Sequence, residues 1–272
     1  GTIRVISVRM NYLSDPNMIA TLKDDNKAYI SRYALGKDYH KIIRKKLGSL
    51  TKKIAEEIPK EQFNHRPFVD SAPVLEKPLA EQAGLGWIGK NTLLIDKSVG
   101  SWFFLGEIYT SIPLPVDNAK EANLCGKCKA CMNVCPTNAF PEPYVLDAKK
   151  CISYQTIENK GIIPKELRTL MGNRVFGCDD CQIWCPWNRD PVITSEEVFQ
   201  PRHKLDNASL LELFNWSESE FQEKTLGSPI RRIGYERWLR NLAIGLGNAP
   251  GCSNIVKSLK TRMLNSCLLY TS

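Results

Sequence analysis

The chain has 272 residues, of which 37 are basic and 29 acidic, giving a net charge of +8, with 43% hydrophobic and 24% charged residues. That length suits one large domain or two to three small ones, and the apolar content suffices for a packed core. No run of 18 apolar residues occurs, which excludes a transmembrane helix, and residues 1–10 lack the apolar core and cleavage site of a signal peptide. The basic balance permits nucleic acid as a partner, a solvated basic surface being the plain alternative.

Residues 3–12 alternate like a strand, with Ile3, Val5 and Val8 as core positions. A chain starting abruptly in a strand is expected to lack an N-terminal piece. A polar loop follows through Ser14, Asp15 and Pro16. Residues 30–40 (ISRYALGKDYH) mix aromatics with Arg32, Lys37 and His40, as a surface loop or as a loop that holds an anionic, planar ligand. Residues 39–58 read as an amphipathic helix burying Ile42, Ile43, Leu47, Leu50 and Ile54. Phe68 and Val69 end a short strand. Asp70 or Ser71 then caps a helix running through Leu75 and Leu79 toward Gly84. In residues 85–92 (LGWIGKNT), Gly86 and Gly89 flank Trp87 ahead of Lys90 and permit tight turns or close backbone approach to a ligand. Neither G-x-G-x-x-G nor a P-loop is present, so no nucleotide motif is. Residues 102–112 form a nearly continuous apolar run, as for a buried strand. Pro113, Pro115 and residues 117–121 make a linker.

The cysteines come next. Cys125, Cys128, Cys131 and Cys135 form C-x2-C-x2-C-x3-C followed by Pro136, the bacterial ferredoxin pattern for [4Fe–4S] clusters. Cys178, Cys181 and Cys185 form C-x2-C-x3-C followed by Pro186. In two-cluster ferredoxins the fourth Cys of a run serves the other cluster. The rule assigns Cys125, Cys128, Cys131 and Cys185 to one cluster, and Cys178, Cys181 and Cys135 to a second. The missing ligand of an unbroken second motif falls at Val175, and the nearest spare thiol is Cys151. Cys252 and Cys267 are left over. A zinc ribbon needs neither the third Cys at a step of three nor the Cys-Pro endings, and stable disulfides are rare in a reducing compartment.

Asp147 is expected to cap a helix carrying Cys151 to about Asn159, with Gly161 just past its end, and Pro164 and Gly172 bound another. From Leu205 the pattern is helical. Trp238, Leu239, Leu242, Ala243 and Leu246 make one stripe. Ile255, Val256, Leu259 and Met263 make a second, with Arg237, Arg240, Lys257, Lys260 and Arg262 on the other side, as in a HEAT-like unit. Residues 265–272 fit no clear element.

Five stretches together resemble the epoxyqueuosine reductases, cobalamin-dependent iron–sulfur enzymes of tRNA queuosine synthesis. They are VDSAPVLEKPLAEQAGLGWIGKNT, GSWFFLGEI, CGKCKACMNVCPTNAF, CISYQTIENKG and GNRVFGCDDCQIWCPWNR, and the likeness resumes at RWLRNLA. The resemblance implies an α+β protein. An α/β cobalamin-binding catalytic domain would span residues 1–120, N-terminally incomplete. A ferredoxin-like double-[4Fe–4S] domain would span 121–195, and a HEAT-like, tRNA-binding helical region 196–272. It implies reduction of the epoxide of epoxyqueuosine, at the tRNA wobble position, to queuosine. Two [4Fe–4S] clusters would relay electrons from a flavodoxin or ferredoxin system, and cobalamin, cob(II)alamin at rest and Co(I) when active, would act on the epoxide carbon. Asp70, in V-D-x-A-P-V-L-E, matches the family's acid, and its apolar neighbours are expected to raise its pKa. Asp70, Lys90, Ser153, Asp179 and Asp180 are the expected corrin contacts. With no D-x-H-x-x-G run, cobalt is expected to lack a protein His. Arg237, Arg240, Lys257 and Lys260 are the expected tRNA contacts, and the protein a cytoplasmic monomer without membrane contact. The alternatives are a corrinoid reductive dehalogenase, a ferredoxin-type electron carrier and a tRNA-binding module with a structural cluster.

Overall fold

The structure is a computed structural model that describes residues 1–14, 17–58, 64–70, 72–117 and 122–265. The chain opens with β1 (Arg4–Asn11), α1 (Met18–Lys23), β2 (Tyr29–Ile30), α2 (Tyr39–Glu57), β3 (His65–Phe68) and α3 (Glu76–Gln82). The hairpin β4 (Trp87–Ile88) and β5 (Leu94–Ile95) follows, then β6 (Phe103–Thr110). The cysteine-rich segment supplies α4 (Ala130–Asn133), α5 (Ile152–Ile157), α6 (Lys165–Met171), β7 (Arg174–Phe176) and α7 (Asp180–Ile183). Four further helices are α8 (Leu210–Phe214), α9 (Glu218–Lys224), α10 (Gly234–Asn248) and α11 (Ser253–Asn265). No described helix is long and apolar enough to cross a membrane.

The apolar run of β6 reflects its place at the centre of a three-stranded sheet ordered β1-β6-β3, covered on both faces. Phe104 and Ile108 pack with Ile43 and Leu47 of α2 on one side. Phe103 and Leu105 pack with Ala80 of α3 and Leu85 on the other, as the period-2 alternation of a strand dictates. Both pairings are antiparallel, so the α/β layering expected for residues 1–120 takes an antiparallel form. Ile3 precedes β1 and is exposed, and along α2 the buried stripe passes from Leu47 to Thr51, leaving Leu50 exposed.

The second core crosses the boundaries expected near residues 120 and 195. β2 pairs in parallel with β7. Ala28, Ile30 and Leu35 then share one cluster with Val175 and Phe176 and with Phe214, Trp238 and Leu242 of the C-terminal helices. α10 is covered on more than one side, by β7, α6 and α8. α11 buries Ile255 but leaves Val256 and Met263 exposed, so only part of its expected stripe is used.

Candidate active site and cluster centres

The two cysteine motifs fold alike. In the first, the N–H groups of Asn133, Val134 and Cys135 donate to the carbonyls of Lys129, Ala130 and Met132. In the second, those of Ile183, Trp184 and Cys185 donate to Asp179, Asp180 and Gln182, the same ladder 50 residues later. Cys125, Cys128, Cys131 and Cys185 line one cavity of about 220 Å³, with Lys90, Asn91 and Trp187. Cys135, Cys151, Cys178 and Cys181 line a tighter one of about 40 Å³, with Pro136, Phe140 and Ile152. All eight thiols are free. No three His, Cys, Asp or Glu among the described residues converge on a single metal ion. The donor chemistry fits iron–sulfur clusters, whose thiolates stand around a cubane rather than one point. Val175, where a repeated motif would carry its first Cys, is instead a fully buried residue of β7. Cys151 is the residue just before α5, not within a helix capped by Asp147. The Asp147 carboxylate accepts the Lys149 N–H in the preceding turn. Cys252 is exposed, and Cys267 lies outside the described residues.

The hairpin of β4 and β5 braces both quartets. Lys90 Nζ donates to the carbonyls of Gly126 at 2.6 Å and Cys128 at 2.8 Å, and Asn91 Nδ2 to that of Cys181 at 3.2 Å. Gly86 has φ +147°, and a Cβ there would lie 2.2 Å from the Ile95 carbonyl oxygen, so it serves the hairpin rather than a ligand. Lys90 is therefore a buried clamp on the cluster loop.

Asp179 and Asp180, two more expected corrin contacts, have protein partners of their own. Asp179 is buried and accepts from Tyr29 Oη at 2.8 Å, Ser31 Oγ at 2.5 Å and the Arg32 N–H at 2.8 Å. Burial raises its carboxyl pKa against these donors. Asp180 takes both nitrogens of an Arg174 fork, at 2.6 and 2.5 Å, and accepts from Cys178 Sγ at 2.9 Å. Buried carboxylates must be paired in this way, which consumes their acceptors. Ser153 stays half-buried on α5.

Asp70 lies between β3 and α3 at φ +40°, outside any helix. It does not cap α3, which starts at Glu76 with Leu75 before it, and Ser71 lies outside the described residues. Its side chain is 52% exposed. Oδ2 accepts from Tyr39 Oη and lies 3.1 Å from His40 Nε2, and the backbone N–H donates to Glu76 Oε1 at 2.5 Å. Asp38 caps α2 by accepting the His40 N–H, and its Oδ1 also lies 2.8 Å from His40 Nδ1. Arg232, from the C-terminal region, reaches that Oδ1 at 3.2 Å. The His40 hydrogen bond, then that of Tyr39, hold the Asp70 carboxyl below the usual range despite burial. Burial pulls His40 down, but hydrogen bonds to Asp38 and Asp70 outweigh it and lift it to about 8. The apolar neighbours of Asp70 were expected to raise its pKa. The two donors reverse that direction.

Tyr39, His40, Asp38, Arg232, Glu76 and Glu107 all belong to this region and were missed as site residues. His40 and Tyr39 fall in the aromatic and basic stretch of residues 30–40. There the Tyr39 ring stacks on Phe104 at 4.0 Å, and Arg32 is buried. The expected tRNA contacts divide. Arg240 is 3% exposed and donates to the carbonyls of Asn159, Gly161 and Gln155. Arg237 donates to those of Ile233, Ile157 and Arg232. Both tie α10 to the segment after Cys151, Arg240 from a buried position and Arg237 from a half-buried one. Lys257 and Lys260 are exposed on α11.

Residues 124–188 match the model of a 4Fe–4S double cluster binding domain, and residues 1–71 that of Epoxyqueuosine reductase QueG, DUF1730. The epoxyqueuosine reductase of Pseudomonas aeruginosa is 62% identical over 263 residues, 96% of this chain and 72% of that protein. A solved epoxyqueuosine reductase with a tRNA-Tyr epoxyqueuosine-modified stem loop superposes with TM-score 0.86 at 29% identity, covering 95% of this chain and 68% of that one. Another, from Bacillus subtilis and described with its catalytic aspartate loop swung out of the active site, gives TM-score 0.87 at 28% identity, covering 97% and 69%. With the paired cysteine cavities and these relatives together, the chain belongs to the epoxyqueuosine reductase family.

Proposed function

We propose that the chain reduces the epoxide of epoxyqueuosine at the tRNA wobble position to the alkene of queuosine, the oxygen leaving as water. The observation that carries this reading is the sorting of eight cysteines into two quartets joined through one short segment. Cys178 and Cys181 belong to one quartet and Cys185 to the other. Two clusters held there would pass electrons one at a time from an external flavodoxin or ferredoxin system. Conversion of the epoxide consumes two electrons and two protons, so the chain must also place an acid at the departing oxygen.

Asp70 fits that role as the outlet of a proton that His40 supplies. His40 is protonated at neutral pH, and its Nε2 faces Asp70 Oδ2. As Oδ2 takes that proton, the carboxyl becomes an acid able to protonate the epoxide oxygen, and the imidazole is left neutral. Tyr39 holds the carboxylate in place meanwhile. The aspartate loop described for the Bacillus subtilis protein supports assigning the role to the exposed loop that bears Asp70. The reading includes cobalamin, whose part rests on the resemblance alone. Lys90, Asp179 and Asp180 already bond protein groups, and no proton step of the chain's own residues runs through it. tRNA binding is assigned to the exposed lysines of α11, supported by the net charge and by the stem loop in the related structure.

The test is single-turnover conversion of an epoxyqueuosine-modified anticodon stem loop by anaerobically purified protein, with iron, cobalt and zinc quantified in the same sample. Conversion with about eight irons per chain supports the reading. A fully iron-loaded, cobalamin-supplied protein that binds the stem loop without converting it overturns it.

A further inference from the structure

Glu107 is the lone acid in the apolar run of β6 and is 0% exposed. Its cross-strand neighbours are Ser7 and Phe68. Being two and four residues from Leu105 and Phe103, it shares their face, against which α3 packs. Neither carboxyl oxygen meets a hydrogen-bond donor among the described residues, nor does the buried Ser7 hydroxyl find a partner. The group that acts on it is the Glu76 carboxyl, at the first position of α3, through charge and hydrogen bonding. Glu76 Oε1 is also the acceptor of the Asp70 N–H.

The other charged groups around this face are engaged elsewhere. Arg9 of β1 pairs with Asp96 at 2.6 Å, and Arg66 of β3 lies over the Phe68 ring. On α3, Lys77 donates to the Thr92 carbonyl and Glu81 accepts the Ile88 N–H. His40 lies near Glu76 but is bound to Asp38 and Asp70. Tyr109 of β6 is the remaining titratable group on the face. A fully buried carboxyl set against a half-buried one, with no cation between them, does not ionise together with it. A proton held on one supplies the hydrogen that the pair otherwise lacks.

We propose that Glu107 stays protonated and donates that proton as a hydrogen bond to Glu76, fixing Glu76 as the acceptor that latches the Asp70 backbone. The proposal rests on the reading of Asp70 as the acid and makes Glu76 and Glu107 positioning residues for it. Burial, then the charge of Glu76, push the Glu107 carboxyl up to about 8. Burial lifts Glu76 as well. Asp70 holds φ +40°, a region that non-glycine residues rarely occupy, and the Glu76 bond opposes its relaxation. When Glu107 loses its proton, the two carboxylates repel, Glu76 turns aside and the loop is released.

The experiment is amide hydrogen exchange of residues 68–76, expressed as protection factors at pH 7 and pH 9, in the chain with both clusters reconstituted. In the native sequence, protection falls about tenfold or more between these pH values, the equivalent of one pK unit of coupling. Glu107→Gln, whose amide donates to Glu76 but cannot ionise, keeps more of its protection at pH 9 than the native chain, the remaining loss being that of the His40 proton. Glu107→Leu, which offers no donor, is poorly protected at both, with circular dichroism and iron content checking its fold. The latch is overturned if Glu107→Gln follows the native pH dependence, or if folded Glu107→Leu is as protected as the native chain at pH 7. Asp70→Asn is tested apart, by single turnover. If it still converts the epoxide, the acid assignment falls while the exchange profile still decides the latch.

Discussion

His40 Nε2 lies 3.1 Å from Asp70 Oδ2 while its Nδ1 lies 2.8 Å from Asp38 Oδ1, so one imidazole bridges two carboxylates. An imidazole between two acceptors can satisfy both only as the cation, with both ring nitrogens donating.

Asp70→Asn separates proton delivery from structure. Asn tolerates positive φ about as well as Asp and can still accept from Tyr39, yet it carries no transferable proton. Single-turnover reduction should fall by about 10²- to 10⁴-fold, with iron content and stem-loop affinity unchanged. Near-native turnover would place the acid elsewhere.

The His40 cation gives turnover a pH limit. The rate should decline as the pH rises through about 8, where the imidazole loses its proton. His40→Gln should be slower at neutral pH and should lose this limb. Stability moves in the same direction. His40 binds its proton more tightly folded than unfolded. Its contribution is therefore complete below the ordinary value near 6.5 and is lost as the pH climbs through about 8. Urea midpoints at pH 6 and pH 9 should differ less in His40→Gln than in the native chain. An equal difference would contradict the assignment.

Cys151→Ser should damage only the cluster that also uses Cys135, Cys178 and Cys181. Iron should drop from about eight to about four per chain, and the EPR signal of the other cluster should persist. Replacing Cys252 and Cys267 together with Ala should leave iron content unchanged.

Arg240 and the α11 lysines should behave oppositely. Arg240→Ala strands the buried Gln155 carbonyl, at about 1–3 kcal/mol if left unsatisfied, and frees the Asn159 and Gly161 carbonyls nearer the surface. It should therefore lower the denaturation midpoint strongly. Lys257→Ala and Lys260→Ala should leave the midpoint alone, and each should reduce the log–log salt slope of tRNA binding by roughly 0.7–0.9. A salt slope that ignores both lysines would remove α11 from the interface.

The cysteine quartets were legible because spacing alone dictates which thiols can meet. The ferredoxin rule brought Cys185 to Cys125 across 60 residues and Cys135 to Cys178 across 43, and the fold lines one cavity with each set. The limits of β6 and α2 were equally readable from periodicity. The basic residues of α10 lie deeper than a helical wheel suggests, for a physical reason. A helical wheel separates apolar from polar but cannot show that β7, α6 and α8 cover a helix on several sides, which turned Arg240 and Asn241 into buried clasps. The partners of Asp70 were hidden differently. Arg232 meets Asp38 across 194 residues, and such a contact leaves no local pattern. Glu107 did leave one, an acid within an apolar strand, and a buried acid requires a partner or a proton.

Asp179 is claimed by Tyr29, Ser31 and Arg32, partners about 150 residues earlier. During synthesis at about 5–20 residues per second, the segment around Tyr29 must therefore wait roughly 8–30 s before the carboxylate that orders it leaves the ribosome. Its parallel partner β7 arrives only just before. The early aromatic strand is thus exposed while the cysteine segment is being made, and a translational stall in that interval would leave Tyr29 and Ile30 open to chaperones or to aggregation. A synonymous change that slows decoding between residues 120 and 180 should lower soluble yield without altering the purified protein.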